Sequence, residues 1–112
     1  MSSLSSHVLD TSIGRPAAGV ALVLEQRQGD SFVSLAIAKT NSDGRAANFV
    51  DPGDFVPGEY RLRFATAEYH ASRGEPAFFP EVVIHFVVNE ADAHYHIPLL
   101  LAPYGYSTYR GS

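Results

Sequence analysis

The chain has 112 residues, a formal net charge of −4 at pH 7 and no cysteine. Its length predicts one domain over residues 1–112 with a substantial hydrophobic core, and the lack of cysteine excludes disulfides and thiolate chemistry. Nucleic-acid binding, which needs clustered positive charge, is disfavoured, and no apolar run approaches the ~20 residues that cross a bilayer.

The N-terminal segment is predicted to be extended and to end at a loop. The stretch SSHVLDTSIGRPA carries His7 and closes at Gly14, Arg15 and Pro16. A single histidine in such a segment is more often structural than catalytic, so the residues alone leave the role of His7 open. The first ten residues lack the basic flank and apolar stretch of a signal peptide, and we expect a cytoplasmic protein.

Two strands and a turn are predicted next. GVALVLEQRQ and FVSLAIAKT are joined by a polar loop that contains glycine, which is typical of a hairpin. The second strand stops at the turn formed by residues 41–44, with the sequence NSDG, and Arg45 follows it. Considered alone, Arg45 is best interpreted as a solvated residue beside a hairpin turn.

Two later strands differ in their patterns. GEYRLRFAT places Tyr60, Leu62 and Phe64 on one face and Arg61 and Arg63 on the other, as a half-buried strand requires. FPEVVIHFVV is more uniformly apolar, which indicates a strand that is covered on both faces.

One stretch, TAEYHASRGEP, breaks the strand pattern. It predicts a helix of about two turns with Thr66 as N-cap, Gly74 at the stop and Pro76 beyond it. We expect His70 on this helix to lie at the surface, and His85 in FPEVVIHFVV to be a hydrogen-bonded strand residue. Several short strands separated by turn signals predict an antiparallel β-sandwich with one short helix.

The strand HYHIPLLLA divides into two sets of alternating residues. The set that we expect in the core comprises Tyr95, Ile97, Leu99 and Leu101. The set that we expect to point outward comprises His94, His96, Pro98 and Leu100. Because an outward face that is partly apolar usually marks an interface, oligomerisation is expected.

The histidines and the tail are the candidates for chemistry. His94 and His96 project to one face of a strand, where they fit a metal site, an acid–base site or plain interface hydrogen bonds. With His7 they could form a metal-binding module, but two or three histidines without a carboxylate are weak evidence for zinc. The tail, PYGYSTYRGS, is either an aromatic edge strand with a frayed end or part of a site.

Three stretches resemble the 5-hydroxyisourate hydrolase family, the transthyretin-related enzymes of urate breakdown. They are SHVLDTSIGRPA, TNSDGR and HYHIPLLLAPYGYSTYRGS, in order and over essentially the whole chain. The final YRGS is the most specific, because it separates the enzymes from the hormone-carrying transthyretins that share their fold. The resemblance implies an all-β, transthyretin-like antiparallel sandwich of two four-stranded sheets with one short helix. It also implies a homotetramer, a dimer of dimers, with clefts at the dimer–dimer interface.

The resemblance further implies the reaction and the site. The substrate is 5-hydroxyisourate, whose N1–C6 lactam bond is hydrolysed to 2-oxo-4-hydroxy-4-carboxy-5-ureidoimidazoline without a metal, cofactor or covalent intermediate. The implied catalytic residues are His7, Arg45, His96 and Ser112. The implied substrate-binding residues are His7, Arg45, Tyr109, Arg110 and Gly111. Either His7 or His96 is the general base, and a transthyretin-like carrier that binds a small molecule without turning it over is the alternative function.

Overall fold

Nine strands and one helix make up the fold of residues 1–112 in a computed structural model. The elements are β1 (Ser3–Asp10), β2 (Arg15–Pro16), β3 (Ala21–Gln28), β4 (Ser31–Lys39), β5 (Arg45–Ala47), β6 (Gly58–Phe64), α1 (Thr66–Ser72), β7 (Val82–Val88), β8 (His94–Ala102) and β9 (Gly105–Thr108). The single helix is far too short to cross a bilayer.

The strands form the two sheets of the predicted sandwich. One sheet has the order β4-β3-β6-β7 and is antiparallel throughout. The other has the order β2-β1-β8-β9, with β5 also paired to β1, so it contains five strands rather than four. It is also not purely antiparallel, because β1 and β8 run parallel. These two strands lie far apart in sequence, and the rest of the sandwich supplies the crossover that a parallel pair needs.

The core lies where the alternating patterns predicted it. Tyr60, Leu62 and Phe64 of β6 are fully buried, while the intervening Arg61 and Arg63 point outward and pair with Glu25 at 3.0 and 3.3 Å. The predicted hairpin of β3 and β4 is confirmed, with one register shift after Leu24. The core set of β8 is buried as well, although Pro98 of the outward set is also buried, opposite His7 of β1.

Strand β7 was predicted to be covered on both faces, but in a single chain only one face is covered. Val83 and Val87 are 39% and 59% exposed, so its outer face is not covered by any other part of the chain. His85 lies on the solvent side of the strand and is hydrogen bonded to Glu59, with 2.8 Å between Nε2 and Oε2. The prediction for His85 is therefore confirmed, and the apolar residues of β7 remain available to another molecule.

The helix forms as predicted, but two details of the prediction were wrong. Ala65 rather than Thr66 occupies the N-cap position, and the Thr66 hydroxyl donates to the carbonyl of Phe79 at 2.8 Å instead of capping the helix. His70, predicted at the surface, is only 1% exposed, and its Nδ1 lies 3.3 Å from Oε1 of Glu75. Helix α1 turns this imidazole toward the sandwich, and a charged partner compensates for its burial.

A buried carboxylate ties the end of β1 to helix α1. Asp10 is fully buried, and its carboxylate accepts hydrogen bonds from the Ser12 hydroxyl at 2.5 Å and the Tyr69 hydroxyl at 2.7 Å. Arg73 lies 3.5 Å away. Burial acts to raise the pKa of Asp10, but the hydrogen bonds from Ser12 and Tyr69 and the charge of Arg73 hold that pKa below its ordinary value. This cluster anchors the strand that carries His7.

Replacing this carboxylate is expected to destabilise the fold. Asp10→Ala leaves the hydroxyl donors of Ser12 and Tyr69 without an acceptor. We therefore expect the free energy of unfolding to fall by about 2–3 kcal/mol. The stabilisation from the depressed pKa is present at neutral pH and is lost as the pH falls through the folded-state pKa, below about 3.9. Urea denaturation of Asp10→Ala and of the exposed Asp30→Ala, at pH 7 and pH 3, measures both effects. Equal midpoints for the two variants at pH 7 would contradict the anchoring role.

Candidate active site

Strand pairing gathers three of the expected site residues on the outer face of the five-stranded sheet. In the register of β1, His7 lies opposite Arg45 of β5, and Ser5 lies opposite His96 of β8. Because side chains alternate along a strand, Ser5 and His7 share one face of β1, whereas the intervening Ser6 is buried. Residues that are distant in sequence thus converge on one surface.

The turn before β5 positions Arg45. The Asn41 side-chain oxygen accepts the backbone N–H of Arg45 at 3.0 Å, and the carbonyl of Gly44 accepts the N–H of Val8 at 2.7 Å. Gly44 has φ of +73°, and a Cβ there would lie 2.5 Å from the carbonyl oxygen of Val8. Only glycine fits this close approach, which docks the turn on β1 and sets Arg45 beside His7.

His7 and Arg45 are left free to bind a ligand. His7 is half-buried and Arg45 is exposed, and neither side chain hydrogen bonds to another group of the chain. An arginine fork beside an imidazole is suited to a planar, polar molecule that offers acceptor oxygens and nitrogens.

His96, unlike His7, is held by a hydrogen bond within the chain. It is half-buried, and its Nδ1 lies 2.7 Å from the hydroxyl oxygen of Ser5. Burial, followed by the charge of Arg45 and the nearby imidazoles of His94 and His7, lowers the pKa of His96, while a hydrogen bond with the backbone of Ser5 opposes this. His96 is therefore a neutral imidazole at physiological pH, which is the form that can accept a proton.

The tail packs against His96 through Gly111. The N–H of Gly111 donates to the carbonyl of His96 at 2.7 Å and forms a bridge between the two residues. A Cβ on Gly111 would lie 2.5 Å from Cδ2 of the His96 ring. The tail is thus in contact with the site at this point, and Ser112 follows it at the exposed rim.

Tyr109 and Arg110 do not lie beside His7 and Arg45 of the same chain. The guanidinium of Arg110 stacks over the ring of Tyr95, 4.4 Å from its centroid. Both tail residues line a cleft of about 300 Å³ that opens between the two sheets, together with Tyr95 and Ile97. Since Tyr95 belongs to the core-facing side of β8, a single chain directs these two residues away from His7 and Arg45.

Ser5 is a site residue that the sequence analysis missed. Its hydroxyl oxygen lies 2.7 Å from Nδ1 of His96 and 2.9 Å from Nε2 of His94. The signal was present in the alternation that puts Ser5 and His7 on one face, but it required the parallel register with β8. His7, His94 and His96 do not assemble into a set of three ligands around one point, which removes the support for the metal-binding alternative.

Together, the fold and the site define a transthyretin-like sandwich with a polar imidazole–guanidinium site on the outer face of one sheet. The chain belongs to the HIUase/Transthyretin family, whose model matches residues 4–111. This confirms the resemblance seen in SHVLDTSIGRPA, TNSDGR and the tail.

Known proteins of both branches of this family are similar to the chain. The 5-hydroxyisourate hydrolase of Caulobacter vibrioides is 46% identical over the full length of both chains. The structure of Klebsiella pneumoniae 5-hydroxyisourate hydrolase is 41% identical, covers all of both chains and superimposes with a TM-score of 0.87. Sea bream transthyretin in complex with thyroxine is 29% identical, with 96% of this chain and 93% of that chain covered and a TM-score of 0.90.

Proposed function

We propose that this protein is a 5-hydroxyisourate hydrolase that opens the N1–C6 lactam bond of its substrate. The product is 2-oxo-4-hydroxy-4-carboxy-5-ureidoimidazoline. The full-length similarity to hydrolases of that name supports the activity. The observation that carries the proposal is the placement of the His96 imidazole on the same face as the free side chains of His7 and Arg45.

Water activation is assigned to His96. Water is a poor nucleophile at neutral pH, and a positioned general base typically contributes ~10²–10⁴-fold. The lowered pKa and the hydrogen bond to Ser5 support His96 as the residue that takes the proton of water. His7, which has no hydrogen-bond partner in the chain, is assigned to orienting the substrate or the attacking water.

Arg45 is assigned to the developing negative charge. Attack of water at C6 puts negative charge on the carbonyl oxygen, and a preorganised cation stabilises it. The exposed guanidinium beside His7 is suited to this role, and its fork also matches the planar polar edge of the ring. No step in this scheme requires a metal or another cofactor.

A homotetramer, built as a dimer of dimers, is proposed to complete the site. Strands β7 and β9 each form one free edge of their sheets, and Val83, Val87 and Tyr106 are exposed on them. Edge strands with apolar side chains are usually covered by another chain. In such an assembly the tails of neighbouring copies, with Tyr109, Arg110 and Ser112, would close the cleft over the substrate.

The assembly is expected to be required for activity. Native mass spectrometry at micromolar concentration should give a tetramer, and dilution or Val87→Glu, which places charge on a proposed interface, should reduce assembly and turnover together. Opening the cleft admits water and weakens each electrostatic contact within it. Ser34→Glu, which places the same charge at an exposed polar position of β4, is the matched control. A fully active monomer would contradict the interfacial cleft.

The pH dependence of hydrolysis is expected to follow His96. Since the pKa of His96 lies below its ordinary value, kcat/KM should fall at acid pH as the base becomes protonated, with the midpoint of that fall below the ordinary histidine value of ~6.5. The measurement is the pH–rate profile of kcat/KM, corrected for spontaneous decay of the substrate. An acid limb with its midpoint above pH 7 would contradict the assignment of His96 as the base.

Turnover under catalytic conditions tests the proposal against a carrier. Freshly generated 5-hydroxyisourate is mixed with a hundredth of an equivalent of protein, and the ultraviolet absorbance of the substrate is followed with and without EDTA. We expect all of the substrate to decay many times faster than it does without protein, and EDTA to leave that rate unchanged. The thyroxine complex of the sea bream relative suggests a carrier as the alternative. A carrier would protect at most the substrate that it binds and would leave the decay rate of the remaining substrate unchanged. Loss of activity that zinc restores would favour the metal-binding alternative.

A further inference from the structure

One hydroxyl joins two histidines on the outer face. The Ser5 hydroxyl oxygen lies 2.7 Å from Nδ1 of His96 and 2.9 Å from Nε2 of His94. The other nitrogen of His94, Nδ1, lies 2.6 Å from the hydroxyl oxygen of Ser3. The two rings are nearly parallel, with centroids 6.4 Å apart. The groups therefore form one chain of hydrogen bonds that leads from His96 to Ser3.

This chain couples the tautomers of the two rings. A serine hydroxyl has one proton, so it donates to one ring nitrogen and must accept from the other. With both rings neutral, there are two solutions. Either Nδ1–H of His96 donates to Ser5, which donates to Nε2 of His94, or every bond runs in the opposite direction. In the second case His96 carries its proton on Nε2 and cannot accept another there.

The first direction is favoured by one contact of His96 and by the role proposed for that residue. A hydrogen bond with the backbone of Ser5 acts to raise the pKa of His96, as a bond donated by a ring N–H does. The Ser3 hydroxyl at the far end of the chain can either accept from Nδ1–H of His94 or donate to Nδ1, so that end allows both directions, whereas only the first direction leaves Nε2 of His96 free to accept a proton from water. Besides burial, the groups that lower the pKa of His96 are Arg45 on β5, His94 on its own strand and His7 on β1. None of these three groups is an acid.

We propose that Ser5 and His94 are positioning residues that hold His96 in the tautomer with Nδ1 protonated, leaving Nε2 as the proton acceptor. This inference deepens the proposed hydrolysis and rests on it. As Nε2 takes a proton from water, the Nδ1 proton can pass to Ser5, whose own proton passes to Nε2 of His94. One proton then moves from water to His94, and it returns by the reverse path when the leaving ring nitrogen is protonated. The positive charge then lies on His94, away from Arg45.

The tautomer is measured directly by ¹⁵N NMR of the imidazole nitrogens in the full-length protein, without substrate. In the wild type, His96 should give a protonated Nδ1 and an unprotonated Nε2. Ser5→Ala should shift it toward the other tautomer, and Ser5→Thr, which keeps the hydroxyl, should restore the wild-type pattern. Ser34→Ala on β4, an exposed strand serine outside the chain of hydrogen bonds, should have no effect. A wild-type His96 protonated on Nε2 would overturn the proposal.

Kinetics give the second readout. Ser5→Ala should lower kcat about tenfold or more while KM changes little, because it removes part of the general-base contribution rather than substrate binding. Ser5→Ala with His94→Asn should cost little more than Ser5→Ala alone, since residues that act as one unit are not additive. Fully additive effects, or equal activity of Ser5→Ala and wild type, would overturn the proposal. If no variant and no wild-type protein hydrolyses the substrate, the proposed function fails, while the NMR result still decides the tautomer.

Discussion

Deleting residues 109–112 is expected to lower hydrolysis of 5-hydroxyisourate by about 10²-fold or more while the sandwich stays folded. The last strand ends at Thr108, and all of the tail side chains are exposed or only partly buried. The deletion therefore removes little of the core. It does remove Gly111, whose N–H binds the carbonyl of His96 and whose Cα packs against the ring. Without this contact, the His96 ring is less firmly held and no longer presents the lone pair of Nε2 in a fixed direction.

Three forms of the protein separate the role of the tail from that of the fold. The truncated protein, Gly111→Ala and the wild type are compared by circular dichroism, native mass spectrometry and turnover of fresh substrate. Gly111→Ala should lose activity through the Cβ that meets His96, with assembly intact. Gly105→Ala at the first residue of β9, where an added Cβ meets no atom within 4 Å, is the matched control. A truncated protein that hydrolyses at the full rate would show that the tail is only a frayed end.

Removal of either central imidazole is expected to cost about 10²-fold or more in kcat/KM. His96→Asn removes the proposed base, and His7→Asn removes the imidazole that faces Arg45 across the β1–β5 pair. His94→Asn should cost much less, since its ring reaches the site only through Ser5. The three variants are measured with the same fresh substrate, and Asp30→Asn in the exposed turn between β3 and β4 serves as the control. If His94→Asn proved more damaging than His96→Asn, the roles of the two residues on β8 would have to be exchanged.

Local alternation predicted the faces of the strands well. In β6, apolar and charged residues alternate strictly, and Tyr60, Leu62 and Phe64 are all fully buried in the structure. The same rule put His96 on the outer face of β8 and thereby made it a candidate. The convergence of His7, Arg45 and His96 was implied only by the family resemblance, because no local pattern reveals that β1 pairs in parallel with a strand some ninety residues away.

What the sequence did not reveal depends on contacts between distant residues. His70 fits a solvated position by its local pattern, but the docking of α1 buries it beside Glu75. The anchor at Asp10 and the bridging role of Ser5 likewise arise from partners in other elements. Arg110 lies over Tyr95 within one chain, so its proposed place in the site depends on a neighbouring copy. The homotetramer, the single domain and the cytoplasmic location stay predictions.

Hydrolysis carried out in water enriched in ¹⁸O tests the central claim most directly. Freshly generated 5-hydroxyisourate is converted by a catalytic amount of protein, and the product is analysed at once by mass spectrometry and again after decarboxylation. If water activated by His96 attacks C6, the product carries one heavy oxygen atom in its new carboxylate, and that label leaves with the carbon dioxide. A product without label, or with label retained after decarboxylation, would contradict cleavage of the N1–C6 bond by water.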